Sequence, residues 1–293
     1  MNISINVWQV NIMNKNYVAE ICVDYAPMYN RILVDDDIPE DSERINISED
    51  GKMSVPYIRS FYTSWKNEDP NQYSESPLNV PLYYVASRIK ILKHEMENLI
   101  PLYGSYENVV ANAKRRAAYA VIRGIEASVF NIAVGAGDPI SGGDLSDTDC
   151  LYKAIIDHHK HGRPVGSIVV PSEGILLLDK WSSHRDLVRA HDNGKINLTD
   201  PLIGHFKDIP IYISPVAPKD KILVCAEPQY VGFAPRVGRV QSKQVEYVEK
   251  DKTKKQKPWE ITSRKNPEVC EEFVTYLLNG IAVINPRGIQ VIS

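Results

Sequence analysis

The first hundred residues of this 293-residue chain are strand-like and loop-rich, with long polar stretches between short apolar runs. Ile3, Ile5 and Val7 alternate with polar residues, and the runs Tyr17 to Val23 and Arg31 to Val34 are rich in β-branched side chains, so strands are expected there. Between and after them lie the acidic stretch Asp35 to Glu43 and the segment Lys66 to Pro77, which is almost devoid of apolar residues. Both are expected as exposed connections. A compact enzyme domain rarely carries so much chain of this kind. Two readings stand at this point: surface loops on an ordinary domain, or an arm buried only by neighbouring subunits.

The chain as a whole can afford a sizeable core. Hydrophobic residues make up 43% and charged residues 24%, which excludes disorder and small disulfide scaffolds as the main organisation. Thirty-four basic residues against 37 acidic ones give a formal charge of −3, too balanced for a protein that coats a nucleic-acid backbone. Cys22, Cys150, Cys225 and Cys270 are scattered, with no C-x-x-C pair, and are expected to be reduced and mostly in the core, as in the cytosol. The N-terminus lacks the basic and apolar regions of a secretion signal, and no run of about 18 apolar residues predicts a membrane span.

From Ser105 to about Ala133 the pattern becomes that of one long helix. Ser105 can cap it, Glu107 suits its first turn, and Val109, Ala113, Ala117, Val121 and Ile125 recur at helical spacing. About 28 residues would span roughly 42 Å. Lys114, Arg115, Arg116 and Arg123 fall largely off that stripe, on a face expected to be solvated or to meet another subunit. A glycine-rich turn, Val134 to Asp144, stops the helix, and a second helix capped by Asp147 or Asp149 runs to Gly162. A buried strand, Val165 to Val170, leads to a short helix from Ser172 to about Trp181, and a helical piece is expected from His184 to His191. Beyond Lys195 the pattern is mainly strand: Ile209 to Ser214, Ile222 to Ala226, Tyr230 to Ala234, Val237 to Val248, Trp259 to Arg264 and Phe273 to Ile284. The charge run Glu249 to Pro258 is expected as an exposed hairpin tip. Partly segregated helices and strands predict an α+β fold.

Candidate chemistry is sparse. In Asp157-His158-His159-Lys160-His161, only His158 and His161 share a helix face, and without a third ligand three imidazoles in the last turn are better explained as charges favoured by the helix C-terminus. Gly135-Ala-Gly137 follows a helix rather than a strand, so it predicts a chain reversal and not a phosphate cradle. Asp35, Asp36 and Asp37 alternate direction in extended chain, which favours a solvated loop over a cation site. No nucleophile motif with its base is present, so catalytic, cofactor and metal residues are all assigned as none.

The order of motifs in residues 78–293 resembles a known family. The long helix ends in Gly135-Ala-Gly-Asp-Pro-Ile-Ser-Gly-Gly, and a further helix leads to Gly166-Ser-Ile-Val-Val-Pro. Then follow the stretch from Leu202 to Cys225, Tyr230-Val-Gly-Phe-Ala-Pro-Arg and finally Asn279-Gly-Ile-Ala-Val-Ile-Asn-Pro-Arg-Gly-Ile. Pro171, Ile203, Gly204, Pro210, Ser214, Pro218, Tyr230, Arg236, Gly280, Asn285 and Pro286 occupy places comparable to those in the major capsid proteins of tailed phages and tailed archaeal viruses with the Hong Kong 97-type fold. Gly288 stands where that family often has Ala, and residues 1–77 match only in character.

The resemblance implies an N-arm at 1–30 and an E-loop region at 31–90. It implies a P-domain at 91–137 and 239–293 with the long helix as its spine, and an A-domain at 138–238. It further implies a structural protein without catalytic function, whose hexamers and pentamers close an icosahedral shell around double-stranded DNA in a virion assembled in the host cytoplasm. A portal, a separate scaffold and a cementing protein are the partners it suggests, with no sequence-specific DNA contact and no membrane. Near-neutral charge suits a lining that must release packaged DNA. Some relatives join an E-loop lysine to a P-domain asparagine; Lys52 or Lys66 with Asn285 is conceivable, and no such site is assigned. The same resemblance admits an encapsulin, a shell of the same fold that encloses a cargo enzyme. A more distant alternative is a metal-dependent enzyme built on His158, His161 and Asp157.

Overall fold

The computed structural model describes residues 28–38, 52–58, 75–140, 145, 147–181, 187–189, 201–249 and 256–293. The strand expectations at Ile3 to Val7 and Tyr17 to Val23, together with Cys22, Lys66 and most of the 249–258 tip, lie outside these residues.

The described chain opens with a 3-10 turn, Tyr29–Arg31, followed by β1, Val34–Ile38. Arg31 to Val34 is therefore not the strand expected. Met28, Tyr29, Ile32 and Leu33 are spaced for a turn that drives all four into the core, each at 2% exposure or less. β1 then pairs in parallel with a later strand, so Asp35 to Asp37 belong to a sheet edge and not to the solvated loop expected. Asp35 forms an ion pair with Arg236 of that partner strand at 2.7 Å, which gives one carboxylate of the run a defined place.

Next come β2, Lys52–Ile58, and β3, Glu75–Leu92, the latter about 61 Å long at 3.4 Å per residue. Residues 75–77, expected as exposed connection, are the start of β3. A helix that periodicity did not reveal, α1, Lys93–Tyr103, follows directly. Its entry is satisfied by Glu95, whose carboxylate accepts from the Leu92 amide at 2.8 Å, and its apolar face forms a satellite cluster of Ile91, Met96 and Val109. Gly104 at φ 79° ends it.

The long helix α2, Tyr106–Ala136, extends about 46 Å. Ser105 caps it as expected, accepting from the Asn108 amide at 3.2 Å. Val109, Ala117, Val121, Ile125, Val129, Phe130 and Ala133 form its buried stripe, while Lys114, Arg115, Arg116 and Arg123 are exposed. By length and composition α2 could cross a bilayer, but this stripe is packed inside the protein.

After α2 come β4 (Asp138–Ile140), α3 (Asp149–Lys160), β5 (Val165–Pro171), α4 (Gly174–Trp181), β6 (Leu187–Arg189), β7 (Leu202–Phe206), β8 (Ile209–Ser214) and β9 (Ile222–Ala226). The chain then runs through β10 (Gly232–Gln244), β11 (Glu246–Tyr247), β12 (Glu260–Ile261), β13 (Val269–Gly280), β14 (Ala282–Val283) and β15 (Ile289–Ile292). The helical piece expected across His184 to His191 is corrected at its centre: Leu187–Arg189 is a strand that pairs antiparallel with Gly204 to Phe206, because β7 offers it a free edge. Tyr230 closes a 3-10 turn instead of opening a strand, and only Glu260–Ile261 of the Trp259 to Arg264 segment is strand.

Two sheets result. One has the order β1-β10-β13-β3-β2, with β14 beside β10; the other runs β4-β15-β9-β5-β8-β7-β6. β15 comes from the C-terminal end of the chain yet sits in the second sheet between β4 and β9, which ties the two halves together. The largest core cluster joins Met28 to Leu33, the α2 stripe, Leu277, Ile281, Ile289 and Val291, and a second cluster fills the space between α3, α4 and the seven-stranded sheet.

Close backbone approach makes two glycines structural. A Cβ on Gly232 would lie 2.0 Å from the Ala282 carbonyl oxygen, and one on Gly137 would lie 2.8 Å from Val291, where α2 meets β15. Gly135, near the end of α2, faces open space. Gly232→Ala is therefore expected to lower stability by about 3 kcal/mol or prevent folding, whereas Gly135→Ala should raise it by about 0.5–1 kcal/mol. Thermal denaturation of both variants checks the contrast; equal effects would contradict this packing.

Candidate assembly surfaces

The feature that departs most from an ordinary core is the hairpin of β2 and β3. From Leu82 to Leu92, β3 pairs with β13; from Glu75 to Pro81 its described partner is β2 alone. The register changes hands between Pro81 and Leu82, so seven residue pairs form a two-stranded ribbon running about 24 Å past the end of β13. Gly280 sets the root of this ribbon. A Cβ there would lie 2.9 Å from Val80 and 3.0 Å from Leu82, so the ribbon emerges tightly against β13. Met53 and Val80 are buried at that root. An isolated two-stranded ribbon is marginal in water, so such a projection gains its stability from whatever it lies on.

Exposed large apolar side chains are distributed over the molecule. Leu102 on α1, Ile132 on α2, Ile156 on α3, Leu176 on α4, Val188 on β6 and Tyr84 on β3 are each at least 40% exposed. Scattered single residues are ordinary on a monomer, but these sit on six separate elements, as contacts with several different neighbours would require.

The face of β3 and β13 that carries Tyr84 is reinforced by polar and aromatic contacts. Trp259 and Tyr276 lie with ring centroids 4.6 Å apart, Tyr84 meets both edge-on at 6.0 and 5.7 Å, and Lys243 lies over the Trp259 ring at 4.6 Å. Glu272 is the hub of a polar cluster on the same two strands: Arg88 donates to it, Tyr247 donates to it, and Lys90 stands 3.6 Å away. Burial pushes its carboxyl up, but the hydrogen bonds from Tyr247 and Arg88 and the charges of Arg88 and Lys90 prevail and hold it below the usual carboxylate range.

The histidine helix does not form the ligand pair considered from sequence. His158 is fully buried and bonds the Val224 carbonyl at 3.1 Å, whereas His161 is exposed and bonds the Asp157 carbonyl at 2.8 Å. Among the described residues no three His, Cys, Asp or Glu side chains converge to hold a metal ion. The view of all three imidazoles as charges favoured by the helix terminus is also corrected for His158, whose pKa is lowered by burial. The signal available in the sequence was helix periodicity, which places His158 with Leu151, Ala154 and Ile155 on one face. Gly137 serves as a helix stop, its amide bonding the Ala133 carbonyl at 2.9 Å. Asn285 donates to the Tyr230 carbonyl at 3.1 Å, and Lys52 is exposed at the start of β2. Cys150 and Cys225 are buried as expected, but Cys270 is exposed on β13.

No family model matches the sequence, and no curated protein matches it. Solved structures do. The cyanophage A-1(L) capsid protein aligns over 95% of this chain and 96% of its own at 14% identity and TM-score 0.53. The capsid protein of cyanophage P-SCSP1u aligns over 92% and 88% at 12% identity and TM-score 0.55. The chain from the SrpI encapsulin complex of Synechococcus elongatus PCC 7942 aligns over 85% and 84% at 13% identity and TM-score 0.52. The fold is thus α+β of the Hong Kong 97 type, the class of fold that builds phage capsids and encapsulin shells.

Glu272→Gln should cost about 2 kcal/mol by leaving Arg88 and Lys90 without their carboxylate. The stabilisation from a depressed carboxyl is full above its unfolded value near 4.5 and fades as pH falls through the lower folded value. The variant should therefore lose less stability than the parent on acidification from pH 5 to pH 3. Chemical denaturation across that range reads this out, and parallel profiles would show that Glu272 has no such role.

Proposed function

We propose that this chain is the major subunit of an icosahedral viral capsid, self-assembling into hexamers and pentamers around double-stranded DNA. The observation that carries the reading is the β2–β3 ribbon, in which β3 runs seven residues beyond its pairing with β13 with β2 as its described partner. Such a ribbon is stable when a neighbouring copy supplies the missing surface, as in obligate assemblies. Full-length likeness to capsid and encapsulin chains supports the same reading. In this reading residues 91–137 and 239–293 form the P-domain around α2, and 138–238 form the A-domain around the seven-stranded sheet. The E-loop is the ribbon itself, and the segment around Met28 to Ile38 belongs with the P-domain core. In this reading the protein acts by surface complementarity. Its partners are copies of itself, with a portal, scaffold or cementing protein and DNA as further candidates.

Likeness to the encapsulin chain supports a second reading, a nanocompartment shell that encloses a protein cargo. Shell contents separate the two: nuclease-protected double-stranded DNA belongs to a capsid, a stoichiometric second polypeptide to a compartment.

Light scattering after size exclusion, with electron microscopy of the same fractions, should show closed shells or stable hexamers and pentamers. Leu176→Glu and Val188→Glu, at side chains 55% and 62% exposed, should leave the far-ultraviolet spectrum unchanged and shift the population toward smaller species. A parent protein that stays monomeric or dimeric in all salts and crowding agents would overturn the proposal.

A further inference from the structure

The end of α3 is built around a histidine that can carry a proton only by breaking its surroundings. His158 has no exposed surface, packed between α3 and β9. The Val224 carbonyl, 3.1 Å from Nε2, can only accept, so Nε2 carries the hydrogen and Nδ1 is the bare nitrogen. Nδ1 is buried and has no hydrogen-bond partner among the described residues. A proton there would place an N–H and a positive charge in a site with no acceptor for either.

The same residue organises the helix terminus through its backbone. Its carbonyl accepts from the Arg163 amide at 3.0 Å and the His159 carbonyl accepts from the Gly162 amide at 3.0 Å, with Gly162 at φ 65°. This is a Schellman stop. Arg163 then donates to the carbonyl of Arg287, just before β15, and one residue before His158 the Asp157 carboxylate accepts from Gln290 of β15 at 2.9 Å. One turn thus joins α3 to β9 and to β15, the strand against which α2 ends at Gly137.

We propose that this turn is an acid-released latch: protonation of His158 at Nδ1 detaches the end of α3 from β9 and β15 and loosens the seven-stranded half of the molecule from α2. The charged and titratable groups facing His158 agree with this. Arg163 and His159 oppose a positive charge, and Asp157 favours it but is engaged by Gln290. Burial is the main cause that lowers the His158 pKa from 6.5. Because the folded value is the lower one, the stabilisation is complete above about pH 6.5 and declines as pH falls from there toward the folded value. The latch belongs to the folded chain and does not depend on the shell reading.

Hydrogen exchange of the full-length protein at about pH 7.5 and 5.5, corrected for intrinsic rates, tests it. Protection of α3 and β9 amides should fall, by up to about tenfold, the limit set by uptake of one proton across one pH unit below 6.5, while β13 amides change little. His158→Gln keeps a donor for Val224 and cannot titrate, so its protection should be flat. Should that variant not fold, exchange at the histidine C2 position of the parent reads the His158 pKa directly and should place it below 6.5. Unchanged protection in the parent, an equal fall in the variant, or a His158 pKa at or above 6.5 would each overturn the latch.

Discussion

Everything in this structure is arranged around the buried stripe of α2. Val121, Ile125, Val129, Phe130 and Ala133 share one core cluster with the N-terminal plug of Met28 to Leu33, with Leu277 of β13, and with Ile289 and Val291 of the C-terminal strand. A helix of 31 residues is a stiff rod, and close packing along its length leaves few ways to seat three such distant segments. The stripe also carries Glu126, fully buried, whose carboxylate accepts from Ser214 at 2.8 Å at the end of β8. A polar tie inside an apolar seam fixes register, because a displaced helix would leave the carboxylate desolvated without its donor.

From this rod the molecule extends in two directions with different mechanical character. Toward the seven-stranded sheet, β15 and Gly137 make a dense contact, and the end of α3 adds hydrogen bonds to the same strand. Toward the ribbon, β3 outruns β13 beyond Leu82 and pairs with β2. Likeness to solved structures at 12–14% sequence identity fits a fold held by geometry more than by particular side chains.

Much of this architecture is legible in the amino-acid pattern. The capped long helix, its basic off-stripe face, the buried strand at Val165, the helix stop at Gly137 and the strand-rich C-terminal half all follow from periodicity and punctuation over windows long enough to be unambiguous. Short elements are not legible in the same way. Arg31 to Val34 has strand composition but is pulled into a turn because Tyr29, Ile32 and Leu33 fill the space beside α2. Leu187–Arg189 is a strand because β7 has an edge to pair with, and α1 hides its helical spacing behind Pro101 and the β-branched run that precedes it. The histidine cluster misleads for a related reason: charge placement at a helix terminus is a local argument, and His158 answers to the core across from it.

The sequence alone determined that the chain is α+β and that its centre is one long capped helix. Those properties are carried by local spacing, propensity and composition, which every residue expresses without knowing its distant neighbours. Only the tertiary structure decided that β1 lies parallel to β10, that the C-terminal strand enters the far sheet, and that β3 changes partners at Leu82. These depend on contacts between residues from about 64 to nearly 200 positions apart, and nothing in local pattern encodes which of many compatible surfaces will meet.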